Sequence, residues 1–531
     1  MKNPARHMFF VVALTGISMT IFPVGMSFAR PLAPLPAPLA HLNAYVRKTM
    51  NLWHVPGLAL AVVQNGRLVY VRGYGYRMLD PAQRVNPETR FTLGSLTKAF
   101  TVAALGELVS SGKLSWDTPV HHDLRDFRLG NAYVTQRITL RDLLTHRSGY
   151  CDPTAMWYTS YDTVRNVLRR LRYQKPTYAF RTHFCYNNTL YLAASQFIPA
   201  ITGITWNRFV RLHLFRPLHM NGTVTRQEAL AGKKNVAIPY AVIDGRVERI
   251  PRYWTHNMDV FAPVGGINTS VLDMSHWLEM LLDHGRYQGK RILAPSIIHA
   301  METPWMLIHE DNPSVGRWLQ IQTPGEPFYA YGLGFFIQEY DGHRLIWHPG
   351  NIDGMSTVLA IVPSLHLGVV VLSNLDQNFA PEGVLFDVLQ SYLGLPHRDI
   401  SRAWYRFLKK QRAEEKSTRK KLVGPREPRV RPLAPLAQYV GFYQSRFDGT
   451  AQVNERDGML TLRLGNPAFR GILVPWNTNT FEVRWRERYE GRSYATFTLS
   501  PRGQPQTLSF VAQPLHFRKK APFTHPAHNR P

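Results

Sequence analysis

The sequence predicts a mixed α/β (α+β) chain, in which an antiparallel sheet flanked by helices carries a second, helical lobe and is followed by a small all-β domain. Three observations carry this prediction. The early run "GLALAVVQNGRLVYVRG" reads as two apolar strands joined by Asn65-Gly66, the dipeptide best suited to the positive φ angles of a two-residue hairpin. Strands return near residue 331, after a long and mostly helical middle. Past residue 432 the chain breaks into short alternating segments such as "MLTLRL", "TFEVRWRERY" and "ATFTLS", separated by Gly, Asn and Pro.

Each element can be justified in order. Lys2 and Arg6 precede an apolar run over 8–22, the breakers Pro23 and Gly25, and "SFA" at 27–29. That order of charge, apolar core and small-x-Ala site predicts a signal peptide over 1–29, cut after Ala29, and hence export to a periplasmic or extracellular space. Without cleavage the same run would serve as a membrane anchor. A Pro-rich tether covers 31–38. Leu39, Leu42, Val46 and Met50 then have helical spacing, leading into the hairpin. The later strands are "YGLGFFIQEY", a turn at Asp341-Gly342, "HRLIWHPG", "MSTVLAIVP" and "HLGVVVLSN", with "EGVLFDVLQSYLG" as a closing helix. These bounds give a principal domain over 30–400 and a β-domain over 433–522. Between them, 401–432 reads as a surface helix running into a basic, Pro-containing linker, open to trypsin. Residues 409–431 hold ten Lys or Arg against three Glu.

With 531 residues, 44% of them hydrophobic, the chain can bury one large core and a smaller one. A formal charge of +27 raises the question of nucleic acid. The basic residues are scattered apart from the 409–431 cluster, and neither zinc-finger spacing nor an aromatic RNA-binding signature accompanies them. The composition therefore points away from nucleic acid and toward an exported protein that meets an anionic cell-envelope surface. Two cysteines make no disulfide framework. His121-His122-Asp123 lacks a partner cluster and reads as a solvated loop, so neither metal nor other cofactor is expected.

Chemistry is suggested by Ser-x-x-Lys, which occurs three times, at Ser95-Lys98, Ser110-Lys113 and Ser417-Lys420. Ser417 lies in the charged linker, and Ser110 at a helix end just before Gly112. Only Ser95 opens an apolar helix, whose stripe includes Ala99, Val102, Ala103, Leu105 and Val109. There the i, i+3 spacing places serine and lysine on one face, free N–H groups lie close, and burial would lower the lysine's pKa. On these residues alone a plain helix start remains the leading reading.

Two further stretches change the balance. "FCYNNTLYLAAS" holds Tyr186 and Asn188, and "LIWHPGN" holds His348 and Gly350. In this order the three stretches resemble the active-site motifs of class C β-lactamase and penicillin-binding-protein-like serine hydrolases. The resemblance covers roughly 39–393 and extends to "ITLRDLLTHRSGY", "APVGGINTSVLDMSHWL" and "YGLGF". "PLAQYVGFYQ" is similar to the start of a β-barrel-like domain appended to many members. The resemblance implies Ser95 as nucleophile, Lys98 and Tyr186 as the proton-handling pair, and a phenolate on Tyr186 favoured by the lysine. It also implies Asn188 as the group orienting Lys98 and a substrate amide, and an oxyanion hole from the N–H groups of Ser95 and Asn351. His146 is implied to be structural.

The third motif departs from the family's Lys-Thr-Gly: His348 is a weaker cation than lysine, and Pro349 offers neither hydroxyl nor N–H. His-x-Gly resembles family esterases and D-amino-acid peptidases. An ester, or a D-residue amide of peptide or peptidoglycan type, is therefore favoured as substrate over a β-lactam. Gly350 is expected to leave room for substrate against the strand. The rivals are a β-lactamase, a D-Ala-D-Ala carboxypeptidase or transpeptidase, and a non-catalytic wall-binding protein. The resemblance also brings Cys151 and Cys185 toward one cleft, where they form either a bridge or two separate buried thiols.

Overall fold

The computed structural model describes residues 36–251, 255–309, 312, 328–428, 430–511 and 515–519. The expected signal peptide lies outside the described residues, as does the tether up to residue 35. From Pro36 onward the chain forms one compact unit.

Among the described residues its centre is a nine-stranded antiparallel sheet. Across the sheet the strands run Met306–Leu307, Tyr329–Tyr331, Phe336–Tyr340, His343–Ile352, Met355–Val362, Leu367–Ser373, Gly57–Gln64, Arg67–Met78 and Gln83–Arg84. The early hairpin joins the late strands as expected, with Leu58 opposite Ser373 and Val63 opposite Gly368. Both tight turns have positive φ at two successive residues, Asn65-Gly66 and Asp341-Gly342. That is the backbone twist a two-residue hairpin requires.

The middle strands are apolar on both faces because both faces are covered. Along Gly57–Gln64, Ala59, Ala61 and Val63 point into one core, while Leu58, Leu60 and Val62 point into the other. The first core is shared with the helices Thr97–Ser110 and Val271–Leu282. The second is shared with Leu42–Trp53, Ala380–Leu393 and Trp404. The Thr97–Ser110 helix goes beyond the apolar stripe read from the sequence, being buried on every side from Thr97 to Gly106.

The strand His343–Ile352 positions the site. It pairs with Met355–Val362 along 346–352, but with Phe336–Tyr340 only as far as Trp347. From His348 onward one edge of this strand therefore has no neighbouring strand among the described residues, and that edge faces the Ser95 turn.

Residues 400–423 form a single 24-residue helix, Ile400–Val423, on which only Ile400, Ser401, Trp404 and Val423 are buried. The stretch that follows is tied to the C-terminal domain by backbone hydrogen bonds from Glu427 to Trp476 and from Leu433 to Thr478. That domain is a closed barrel of eight antiparallel strands. It rests on the principal domain through Arg488, which pairs with Asp244 and Glu248, and through Tyr489, which donates to Asp376. Asn466 adds hydrogen bonds to the carbonyls of Tyr158 and Thr159.

Candidate active site

The segment 94–98 is a short 3-10 turn, Gly94–Leu96, that runs straight into the central helix. Gly94 has φ +59°, and a methyl on it would lie 2.8 Å from the Asn351 amide nitrogen and 3.0 Å from the Asn351 carbonyl oxygen. The left-handed turn and the close approach both exclude a side chain. The same distances show that Asn351 turns its N–H and C=O toward the Ser95 turn, away from the paired strand. Ser95 thus follows directly on a glycine packed against the Asn351 backbone at the unpaired edge.

Lys98 is completely buried. Its Nζ lies 2.9 Å from Ser95 Oγ, 2.8 Å from Asn188 Oδ1 and 3.4 Å from the Val264 carbonyl oxygen. Burial holds its pKa well below the ordinary lysine value, opposed in part by the charge of Asp152. Tyr186 approaches from the other side and donates its phenolic hydrogen to Ser95 Oγ at 2.8 Å. The structure corrects the expectation of a phenolate here, because burial pushes Tyr186 well above the usual phenol value. A neutral amine has two N–H groups and one lone pair. Asn188 and Val264 accept the two N–H groups, which leaves the lone pair for the Ser95 hydroxyl.

The expectation for His348 also changes. Its ring is 1% exposed, accepts from Tyr331 Oη at 3.0 Å and donates to the Pro349 carbonyl at 2.6 Å. Burial first, and then the charge of Lys98, lower its pKa to about 3. His348 is a neutral strut beneath the site, and no imidazolium there meets a substrate anion. Gly350 is required for a different reason from the one expected. A methyl there would strike the Leu93 carbonyl oxygen at 2.0 Å and Thr357 Oγ1 at 2.2 Å. The strand therefore packs on the segment before Ser95, and Thr357 donates to that same carbonyl at 2.7 Å. His146, fully buried, accepts from the Asn187 N–H and lies with its ring 4.3 Å from that of Tyr186.

Ser110 and Ser417 are exposed, and neither touches these residues. Sequence reasoning missed Asp152. Its carboxylate accepts from the Asn188 and Thr189 N–H groups at 2.8 and 3.2 Å and from the Asn188 side-chain amide at 3.2 Å. Nothing in "GYCDP" announces a partner 36 residues away. Cys151 and Cys185 are bonded to each other, with Cα atoms 5.0 Å apart, and so flank Asp152 and Tyr186.

A nine-stranded antiparallel sheet, a buried helix entered through Ser-x-x-Lys and a tyrosine on the serine oxygen define the class: β-lactamase and penicillin-binding-protein-like serine hydrolases. The chain belongs to the Beta-lactamase family, whose pattern matches residues 42–392, and a Domain of unknown function (DUF3471) follows at 425–524. The chain is 30% identical to the Unguisins hydrolase ungD' of Aspergillus campestris over 417 residues, covering 75% of this chain and 74% of the relative. To Protein flp of Staphylococcus aureus N315 it is 27% identical over 354 residues, 64% of either chain. Among solved structures, the octameric penicillin-binding protein homologue from Pyrococcus abyssi superposes with TM-score 0.58 at 22% identity, covering 91% of this chain and all of the other.

Proposed function

We propose that the protein is an exported hydrolase that cleaves an ester or amide through an acyl-enzyme on Ser95. The observation that carries this reading is the placement of one hydroxyl, Ser95 Oγ, within hydrogen-bond distance of both a buried lysine amine and a protonated tyrosine. Lys98 takes the serine proton as Oγ attacks the carbonyl carbon. The oxyanion is held by the N–H groups of Ser95 and Asn351. As the carbonyl re-forms, Tyr186 gives its proton to the departing oxygen or nitrogen, and the lysine's proton restores the phenol. Water then enters by the reverse route, releasing the acid and the free serine. Asn188 fixes Lys98 in both halves.

The third motif bears on the substrate. With His348 neutral and buried, and Pro349 beside it, this part of the strand supplies no cation or hydroxyl to hold a substrate carboxylate. That favours a simple ester, or an amide in a peptide or peptidoglycan-like compound, over a β-lactam. The relative's name, a hydrolase of unguisins, adds that compound class to the panel. Export rests on the signal-like order of residues 1–29. The cations on Ile400–Val423 support contact with an anionic envelope surface.

A fluorophosphonate probe should add one covalent mass to the Ser95 peptide. Ser95→Ala should abolish labelling, and Ser110→Ala and Ser417→Ala should leave it intact. Labelling that survives Ser95→Ala would refute the mechanism, and a wild-type protein that never labels would favour the non-catalytic wall-binding reading. On p-nitrophenyl esters, kcat/KM should exceed that on cephalosporins by at least about tenfold, one charge-assisted hydrogen bond's worth.

A further inference from the structure

We infer that Asp152 is a positioning residue of this site, whose carboxylate fixes which way the Asn188 amide faces and thereby holds Lys98 as the base. This rests on the acyl-enzyme reading above. The Asn188 side chain lies between two partners, with its oxygen 2.8 Å from Lys98 Nζ and its nitrogen 3.2 Å from Asp152 Oδ2. An amide can turn over and exchange these two ends. A carboxylate only accepts, so Asp152 admits the NH2 end alone and leaves the oxygen for the lysine. Turned over, the amide would set N–H groups against the lysine's own, and the lone pair would no longer be kept for Ser95.

The carboxylate is itself held. It takes the Asn188 and Thr189 N–H groups at the start of the Asn188–Ser195 helix, the Thr154 hydroxyl at 2.5 Å and the Trp157 indole N–H at 3.2 Å. Its backbone N–H donates to the Tyr186 carbonyl at 3.0 Å. The Cys151–Cys185 bridge closes the same two strands of chain one residue earlier on each. A single knot therefore fixes the tyrosine, the asparagine and the carboxylate together.

Lys98 is faced by Ser95, Asn188, the Val264 carbonyl, and the Tyr186 and Tyr191 rings at 4.7 and 5.5 Å. When protonated, Lys98 also acts on His146 and His348, whose pKa values burial lowers. The anion acting on Lys98 is Asp152. Removing that charge lets Lys98 lose its proton at lower pH, while the unlocked amide slows the proton transfer.

The test follows fluorophosphonate labelling and p-nitrophenyl ester turnover between pH 4 and 9, with thermal unfolding alongside. Asp152→Asn keeps an oxygen to cap the helix but admits either end of the Asn188 amide. It is expected to lower kcat about ten- to a hundredfold, the range for losing a hydrogen bond to a charged group, with KM within about twofold. The acid limb of the rate profile should move to lower pH. Asp152→Ser, a second capping residue, should give the same shift if the first variant fails to fold. A variant that only melts earlier, with the acid limb and kcat unmoved, would overturn the inference. Absence of labelling in the wild-type protein would instead overturn the acyl-enzyme reading on which it stands.

Discussion

Ser95 is set apart from Ser110 and Ser417 by what surrounds its lysine, since all three share one spacing. Burial is what turns a lysine into a base, and of the three lysines only Lys98 is buried. His348 makes the same point in reverse. As a sequence position it reads as a weak cation, yet in the fold it is a neutral group enclosed by Tyr331, Phe336 and its own backbone. This has a consequence for stability. A histidine ordinarily titrates near 6.5, and folding lowers this one to about 3. Between those values the unfolded chain binds the proton and the folded one does not, so the contribution is complete above 6.5 and is lost as pH falls. By pH 5 the loss amounts to about 2 kcal/mol. Urea unfolding of wild type and His348→Gln at pH 7 and pH 5 should show it. Whatever advantage the wild type holds at pH 7 should shrink by about that amount, and an unchanged difference would mean that the ring takes up a proton in the fold.

At the scale of elements, the sequence was most legible where local rules act alone. Asn-Gly and Asp-Gly marked two hairpins, and period-2 and unbroken apolar runs marked the strands. The central helix was legible as a helix with a buried stripe but not as one buried all round, because that depends on which elements come to surround it. Asp152 was illegible for the same reason, since the partners that tie it to the site, Asn188 and Thr189, lie 36 and 37 residues further on. The Cys151–Cys185 bridge joins these distant stretches and holds the entry to Tyr186 against Asp152. In the chain-entropy view, closing a 34-residue separation restricts the unfolded chain by about 3–4 kcal/mol. The double variant Cys151→Ser, Cys185→Ser should lose about that much in urea unfolding, and alkylation of denatured, unreduced wild-type protein should find no thiol. Two alkylated cysteines in protein recovered from an oxidising compartment would remove the bridge from the account.

For the whole molecule, the composition break near residue 401 marked where one core ends and another begins, but it could not say how firmly the second is held. A charged stretch ending in prolines reads as a surface helix running into a loose tether. The fold has the helix, 24 residues long, and ties the stretch after it to the barrel. Within the helix every backbone N–H beyond the first turn is paired, so trypsin must wait for local unfolding despite the row of exposed lysines. The barrel is held a second time by Arg488 against Asp244 and Glu248, by Tyr489 on Asp376, and by Tyr158, whose ring meets Phe469 edge-on at 5.5 Å. Between the barrel, the long helix and the end of the sheet lies a cavity of about 850 Å³, lined by Asp353, Asp376, Tyr489 and Glu490. Two attachments, one covalent and one not, predict that cutting the first leaves the second. Trypsin should nick the native protein slowly within 409–431, and the two fragments should still elute together on gel filtration at low salt. Arg488→Glu would set a carboxylate against Asp244 and Glu248, and in that variant the fragments should part. If the nicked wild-type fragments separate at once, the contacts around Arg488 and Tyr489 do not hold the barrel, and the helix alone positions it beside the site.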